Sequence, residues 1–491
     1  MKKELKYIYD VQKELTVLGN ISALLGWDEE TNMPKDAYLS RAEQQEYISV
    51  LIHKKVTNPK LYNYLNKLKK KKLSRIDGIV VNKFHKEIKK VRNIPESFTK
   101  ELTKTASIAG AKWREAREKN NYDIFKPELK KLVALKQKQA KMINPKLSPY
   151  DALLDDFEEG MSAEKLTILF EEIKKELILL LTKIKSTKKY KDQNRIKITI
   201  PEEIQKRNVK YIVKKMLLDR KRVNLSVSAH PFTTSMGKND VRITTRYEDQ
   251  LGSFSAAVHE GGHALYELNL PDKYRYTILH DSPSMGLHES QSRFWENMIA
   301  KNKIFWKNYY STFAKGIKKI EFKKFFLKIN EVKPSYVRVE ADEVTYCLHI
   351  ILRFEIERDL MNGKLTVDKA KEEWNKKFKE MFGLTIKNDN EGILQDVHWS
   401  MGGFGYFPTY AIGSIYSAQL YNQIIKDLPK TKSNIKKHNF KPIIDWLEKH
   451  VHSKGNSMLA EEIIKKTTGK GLDPKQYIDY LNEKYKKIYS F

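Results

Sequence analysis

Apolar residues recur at three- and four-residue steps from the start of the chain, where Leu5, Ile8, Val11, Leu15 and Leu18 form one stripe, and again through 97–145 and 163–185. That spacing turns one face of each helix toward a core. No Gly/Ser-rich or Pro-rich linker divides these stretches. Between 196 and 248 the pattern changes. Ile196–Ile200, Val223–Ser228 and Val241–Tyr247 alternate β-branched with polar residues, which predicts a small sheet inserted in a helical body. Helical spacing then resumes nearly to Phe491, broken by the Gly-rich, aromatic stretch Gly402–Gly413, which reads as a loop. The expected architecture is mainly α: a single large domain over 1–491, with a helical part over 1–195, the small sheet over 196–248, and a second helical part over 249–491. No internal repeat with a period of about 20–50 residues is visible.

Composition agrees with a helix-rich chain, since 21 Gly and 15 Pro in 491 residues leave few turns. Lys+Arg 92 against Asp+Glu 62 gives a formal charge of +30, enough to attract nucleic acid, anionic membrane or acidic peptides. The lysines, however, are spread along the chain and follow helical stripes, as Lys69 follows Leu65 and Leu68. They read as solvated faces, and no nucleic-acid-binding module accompanies them. Cys347 is the sole cysteine, so no intrachain disulfide can form. Met1–Tyr7 lacks an apolar leader and no run of about 18 apolar residues occurs. A soluble, cytoplasmic protein without membrane contact is expected.

The chemistry concentrates in Phe254–Glu267, which contains His259-Glu260-Gly-Gly-His263. On a helix, positions i and i+4 are offset by only about 40°, so both imidazoles can converge on one Zn²⁺ with Glu260 beside it. Gly261 and Gly262 each cost about 1 kcal/mol relative to Ala inside a helix, which points to a close approach of something to the backbone there. A catalytic zinc needs a third protein ligand and an open position for water. The stretch His288-Glu289-Ser-Gln-Ser-Arg293-Phe-Trp-Glu296 supplies Glu289, with His288 as its rival, because adjacent helical residues point about 100° apart and only one can bind. Glu296 either holds a ligating histidine from behind or pairs with Arg293.

HEGGHALYE followed by HESQSRFWEN resembles the carboxypeptidase Taq family of zinc metallocarboxypeptidases. The similarity continues through His230-Pro-Phe, Asp240-Val-Arg242-Ile-Thr244, Arg338 to Tyr346, His349 to Arg353, Gly392 to Trp399 and Gly405 to Tyr410. Trp27 to Pro34 and Tyr150 to Phe157 extend it toward the N-terminal end, so it spans essentially the whole chain. Leu268 and Ser414 depart from it, standing where Gln and Asn are expected, and neither is a proposed ligand. The resemblance implies a helical domain with a deep cleft, usually a homodimer, binding zinc or sometimes cobalt through His259, His263 and Glu289.

In that reading a zinc-activated water attacks the scissile carbonyl, with Glu260 as general base passing the proton to the leaving amine. The oxyanion needs a donor besides the metal. Tyr410, Tyr406 and His230 are the candidates by chemical type. An enzyme that removes C-terminal residues must also hold a carboxylate, for which Arg is best suited; Arg353, Arg338 and Arg242 are the candidates, Arg353 first. The substrates expected are peptides with a free C-terminus. Two other readings are a helical zinc oligoendopeptidase sharing the same metal site, and a nonenzymatic basic nucleic-acid-binding protein, which leaves the histidine and glutamate motifs unexplained.

Overall fold

The structure, a computed structural model, describes residues 1–194, 196–247, 251–318 and 320–491. The proposed boundaries at 195 and at 248–249 fall on positions outside the described residues. Helix dominates, with twenty-one α-helices and three strands among the described residues. The first apolar stripe becomes the helix Lys2–Thr31, whose Ile8 and Val11 pack on Leu61, Leu65, Phe84 and Ile88 of two following helices. The stretches 97–145 and 163–185 become the helices Glu96–Glu118, Tyr122–Ile143 and Ala163–Ser186. A much larger core runs from Ala109 to Tyr489 and surrounds the helices that carry the chemistry.

The sheet is smaller than the alternation predicts. It comprises β1 (Val223–Val227), β2 (Thr233–Ser235) and β3 (Val241–Thr245) in the order β1-β3-β2. β1 runs parallel to β3 and β2 antiparallel to it, with Asn224 and Thr234 both opposite Arg242. Ile196–Ile200 forms no strand. Its Ile198 and Ile200 are buried in the main core, so the period of two there records an extended segment laid on the core rather than a paired one. Pro201 then starts a helix, Glu202–Lys215, whose Gln205, Asn208, Val209 and Ile212 are buried on one face.

The expectation of a loop from Gly402 to Gly413 holds only for its first half. Gly402 and Gly405 have positive φ, but Pro408 opens the helix Pro408–Asp427, a position where its missing N–H costs nothing. Tyr406 therefore lies in the loop and Tyr410 in the first helical turn. No helix among the described residues is long and apolar enough to cross a membrane.

Candidate metal centre and active site

Gly252–Leu268 carries the HExxH sequence as one uninterrupted helix, with burial on most of its faces that marks it as central. Against it lies the helix Met285–Arg293, which carries Glu289. Gly262 explains the approach of this helix, whereas Gly261 faces the Met216 and Leu218 side chains. A Cβ on Gly262 would stand 2.6 Å from the Gln291 carbonyl oxygen and 2.7 Å from Ser292 Cα, backbone atoms that cannot yield. On the other side, a Cβ on Gly413 of the helix Pro408–Asp427 would stand 2.6 Å from Glu289 Cγ. Glu289 is thus seated between two helices that touch its own backbone and side chain. Ser284 caps its helix by accepting from the Leu287 N–H at 3.0 Å, and the buried Glu158 carboxylate accepts from the Gly286 N–H.

These contacts bring three ligand atoms together. Glu289 Oε2 is 3.6 Å from His259 Nε2 and 3.4 Å from His263 Nε2. All donor atoms of the trio lie within 4.8 Å of one another. Two ligands about 2.0–2.1 Å from one zinc at a tetrahedral angle are about 3.4 Å apart, so the donor set fits a single small divalent ion.

The orientation of each ligand has its own cause. His259 Nδ1 is 2.9 Å from Glu296 Oε2, which leaves Nε2 facing Glu289. Glu296 stands on a wide π-helical turn, Phe294–Ala300, and also receives Arg293 Nη1 at 3.3 Å and Lys301 Nζ at 3.2 Å. Both readings of Glu296 therefore hold at once. Arg293 Nε donates to Glu289 Oε1 at 2.6 Å, and Ser292 Oγ lies 2.9 Å from Oε2. Burial alone would raise the Glu289 carboxyl; the Arg293 guanidinium and the neighbouring imidazoles outweigh it and hold the group well below the usual carboxylate range.

His288 resolves as a support. Its Nε2 is 2.8 Å from Glu267 Oε1, and its ring stacks on His263 at 4.5 Å between centroids. Replacing Glu296 by Ala is expected to weaken metal affinity about 10- to 100-fold, read by competition with a chelator, because His259 loses the partner that fixes its ring.

Glu260 is buried beside the trio. Thr233 Oγ1 of β2 donates to its carboxylate at 2.6 Å and sits 3.0 Å from its backbone carbonyl. Sequence reasoning missed Thr233, and nothing but its place after His230-Pro-Phe marks it.

The Tyr406 and Tyr410 rings meet edge to face at 5.2 Å. Burial, then the neighbouring Tyr406, pushes the Tyr410 phenol far above its ordinary value, so it remains a proton-bearing donor at neutral pH. Tyr346, which ends the Arg338 to Tyr346 stretch and had no role assigned from the sequence, joins them with its ring 6.3 Å from that of Tyr410. Its ring also lies 4.1 Å from the Arg293 guanidinium. His398 packs at 5.6 Å from Tyr406 and 4.5 Å from Phe407; burial pushes its imidazole down to about 4, so it is neutral there.

The three arginines separate sharply. Arg353 is 0% exposed. Its Nε donates to Asp396 Oδ2 at 2.6 Å, Nη1 to the His349 carbonyl at 2.8 Å and Nη2 to Gln395 Oε1 at 2.9 Å. Arg338 shares Asp396, with Nη2 at 2.8 Å from Oδ1, and its guanidinium lies 5.2 Å from the centre of the Tyr410 ring. Tyr410 in turn neighbours Tyr346, which lies against Arg293, the partner of Glu289, so a chain of contacts links the Arg338 guanidinium to the candidate ligand. Arg242 is elsewhere: it forms a two-pronged pair with Asp240 at 2.9 and 3.1 Å and stacks on Trp27 at 4.4 Å. His230 is exposed in the turn between β1 and β2, where its carbonyl accepts from Ser228 Oγ at 2.7 Å. Among the described residues, no hydrogen bond, ion pair or ring contact links Arg242 or His230 to the trio.

The family described as Carboxypeptidase Taq (M32) metallopeptidase matches residues 7–485 of this sequence. The chain belongs to that family. As a member, it is a metallocarboxypeptidase that uses a divalent metal. It is 37% identical over 492 residues to carboxypeptidase 1 of Bacillus subtilis, covering 99% of this chain and 98% of that protein. It is also 37% identical over 489 residues to thermostable carboxypeptidase 1 of Pyrococcus furiosus, covering 98% of each. Among solved structures, that of the Pyrococcus furiosus carboxypeptidase superimposes with a TM-score of 0.93 at 35% identity, covering 99% of each chain. Metallocarboxypeptidase 1 of Trypanosoma cruzi does so with 0.94 at 30%, covering 99% of this chain and 100% of that one. The helical metallocarboxypeptidase fold expected from the motifs is therefore the fold of this chain.

Proposed function

We propose that the metal is zinc, held by His259, His263 and Glu289, and that Glu260 is the general base. The observation that carries this reading is the convergence of those three side chains within 4.8 Å. Bound there, the ion supplies a Lewis acid that polarises the scissile carbonyl and acidifies water. Glu260, buried beside the trio and held by Thr233, takes the water proton at its carboxylate and passes it to the leaving nitrogen. Tyr410, backed by Tyr406, donates to the oxygen on which negative charge develops.

The terminal carboxylate of the peptide docks on Arg338. Asp396 holds that guanidinium from one side, and the neighbouring Arg353 shares the same carboxylate. Arg353 thereby becomes a positioning residue, the role its complete burial supports. Arg242 and His230 then have no part in the reaction.

Elemental analysis of the purified protein should find about one zinc per chain, and a chelator should remove both zinc and activity, with both restored by zinc. Full activity in a protein free of divalent metal would exclude the site.

A further inference from the structure

β2 holds the clamp on Glu260, whereas β1 is the opposite edge of the sheet. Along that edge runs a groove of about 1430 Å³, walled by β1 and by the helix Glu202–Lys215. Lys206, Lys210 and Lys214 line it at helical spacing, and Arg220, Lys221 and Arg222 enter from the turn before β1. Its two carboxylates are already engaged, Asp219 by Arg222 at 3.0 Å and Asp240 by Arg242 at 2.9 Å. Lys206 pairs with Glu202 at 2.5 Å. Lys210, Lys214, Arg220 and Lys221 form no ion pair with any described residue. The groove is therefore strongly positive even within a chain of formal charge +30.

The backbone of β1 adds a second requirement. In a parallel pair, the N–H and C=O of one residue point to the same side and alternate residues point to opposite sides. The Arg222 carbonyl accepts from the Val241 N–H at 3.0 Å, and the Ser228 N–H donates to the Thr245 carbonyl at 3.2 Å, so the even-numbered residues face β3. Leu225 and Val227 turn their N–H and C=O outward, and no described residue bonds them. Val227 is also 53% exposed. An edge of this kind is a template for another strand about 4.8 Å away. Lysines beside it repel edges that carry their own cations, a second copy of this chain included, while attracting an acidic one.

We propose that this groove binds an extended acidic polypeptide segment, which pairs as an added strand with Leu225 and Val227 and sets its carboxylates against Lys210, Lys214, Arg220 and Lys221. A nucleic acid would satisfy the cations and leave the strand edge unmet.

The probe is a fluorescent ten-residue peptide alternating Glu with Val, amidated at its C-terminus, added to the full-length protein. Fluorescence anisotropy should show saturable binding, and hydrogen exchange should slow at the Leu225 and Val227 amides. N-methylating alternate residues of the peptide on its pairing edge should abolish both effects. K210E/K214E should weaken binding about tenfold or more while leaving hydrolysis of a small substrate and the thermal midpoint unchanged. Binding that is indifferent to N-methylation, or that leaves Leu225 and Val227 unprotected, would overturn the proposal. So would no binding, tighter binding of an oligonucleotide of equal charge, or protection of β1 through dimerisation of the protein alone.

Discussion

Glu260→Gln is expected to lower kcat by about 10²- to 10⁴-fold while the protein retains its zinc. The amide keeps the shape of the side chain and can still meet Thr233 Oγ1, which lies 2.6 Å from the carboxylate, but it cannot accept the proton. Glu289→Ala should behave in the opposite order. It removes a ligand atom 3.4 Å from His263 Nε2 and leaves the Arg293 guanidinium buried without its nearest counter-charge, so zinc retention should fall first and activity with it. Metal content and turnover measured on both variants separate the roles. A Glu260→Gln protein without zinc beside a Glu289→Ala protein with zinc and normal turnover would reverse them.

Arg338→Ala is expected to reduce kcat/KM on peptides with a free C-terminus by about 30-fold to several thousand-fold, since removing one partner of a desolvated charge pair costs roughly 2–5 kcal/mol. The same change should scarcely affect peptides amidated at the C-terminus. The fold should tolerate it, because Asp396 keeps Arg353 at 2.6 Å. Arg353→Ala is a different experiment. It strips the half-buried Asp396 and Gln395 of a shared donor, and the expected result is lost stability, with slower cleavage following from a displaced Arg338. Denaturation curves recorded beside the kinetics distinguish the two substitutions.

The proposed metal ligands were legible because their geometry is local. His259 and His263 lie one helical turn apart, and the cost of two glycines between them pointed to close neighbours, which prove to be the backbone at Gln291 and Ser292 for Gly262 and the Met216 and Leu218 side chains for Gly261. Glu289 and His288 were not separable by spacing. The decision rests on Glu267, which engages His288 from the HExxH helix, and helix docking of that kind leaves no trace in the chain. Arg353, the first choice for holding the carboxylate, gives way to Arg338 in the proposed reading for a similar reason. The helix Tyr346–Met361 is buried on nearly every face, so apolar periodicity carried no sign of which face borders the site. In Ile196–Ile200, alternation reported burial and could not report the absence of a partner strand. Tyr406 and Tyr410 were found by chemical type alone, whereas Tyr346, close to Tyr410 in space, received no role because contact between these segments arises only on folding.

The most direct test of a metal centre that works at the end of a peptide is the identity of its products. An unblocked peptide and its C-terminally amidated twin are incubated with the zinc-loaded protein, and the fragments are identified over time by mass spectrometry. Single residues should leave the free peptide in order from its C-terminus, and the amidated twin should be cleaved at least about 30-fold more slowly. Equal rates on the two, with internal fragments as the products, would contradict the account and make the enzyme an oligoendopeptidase.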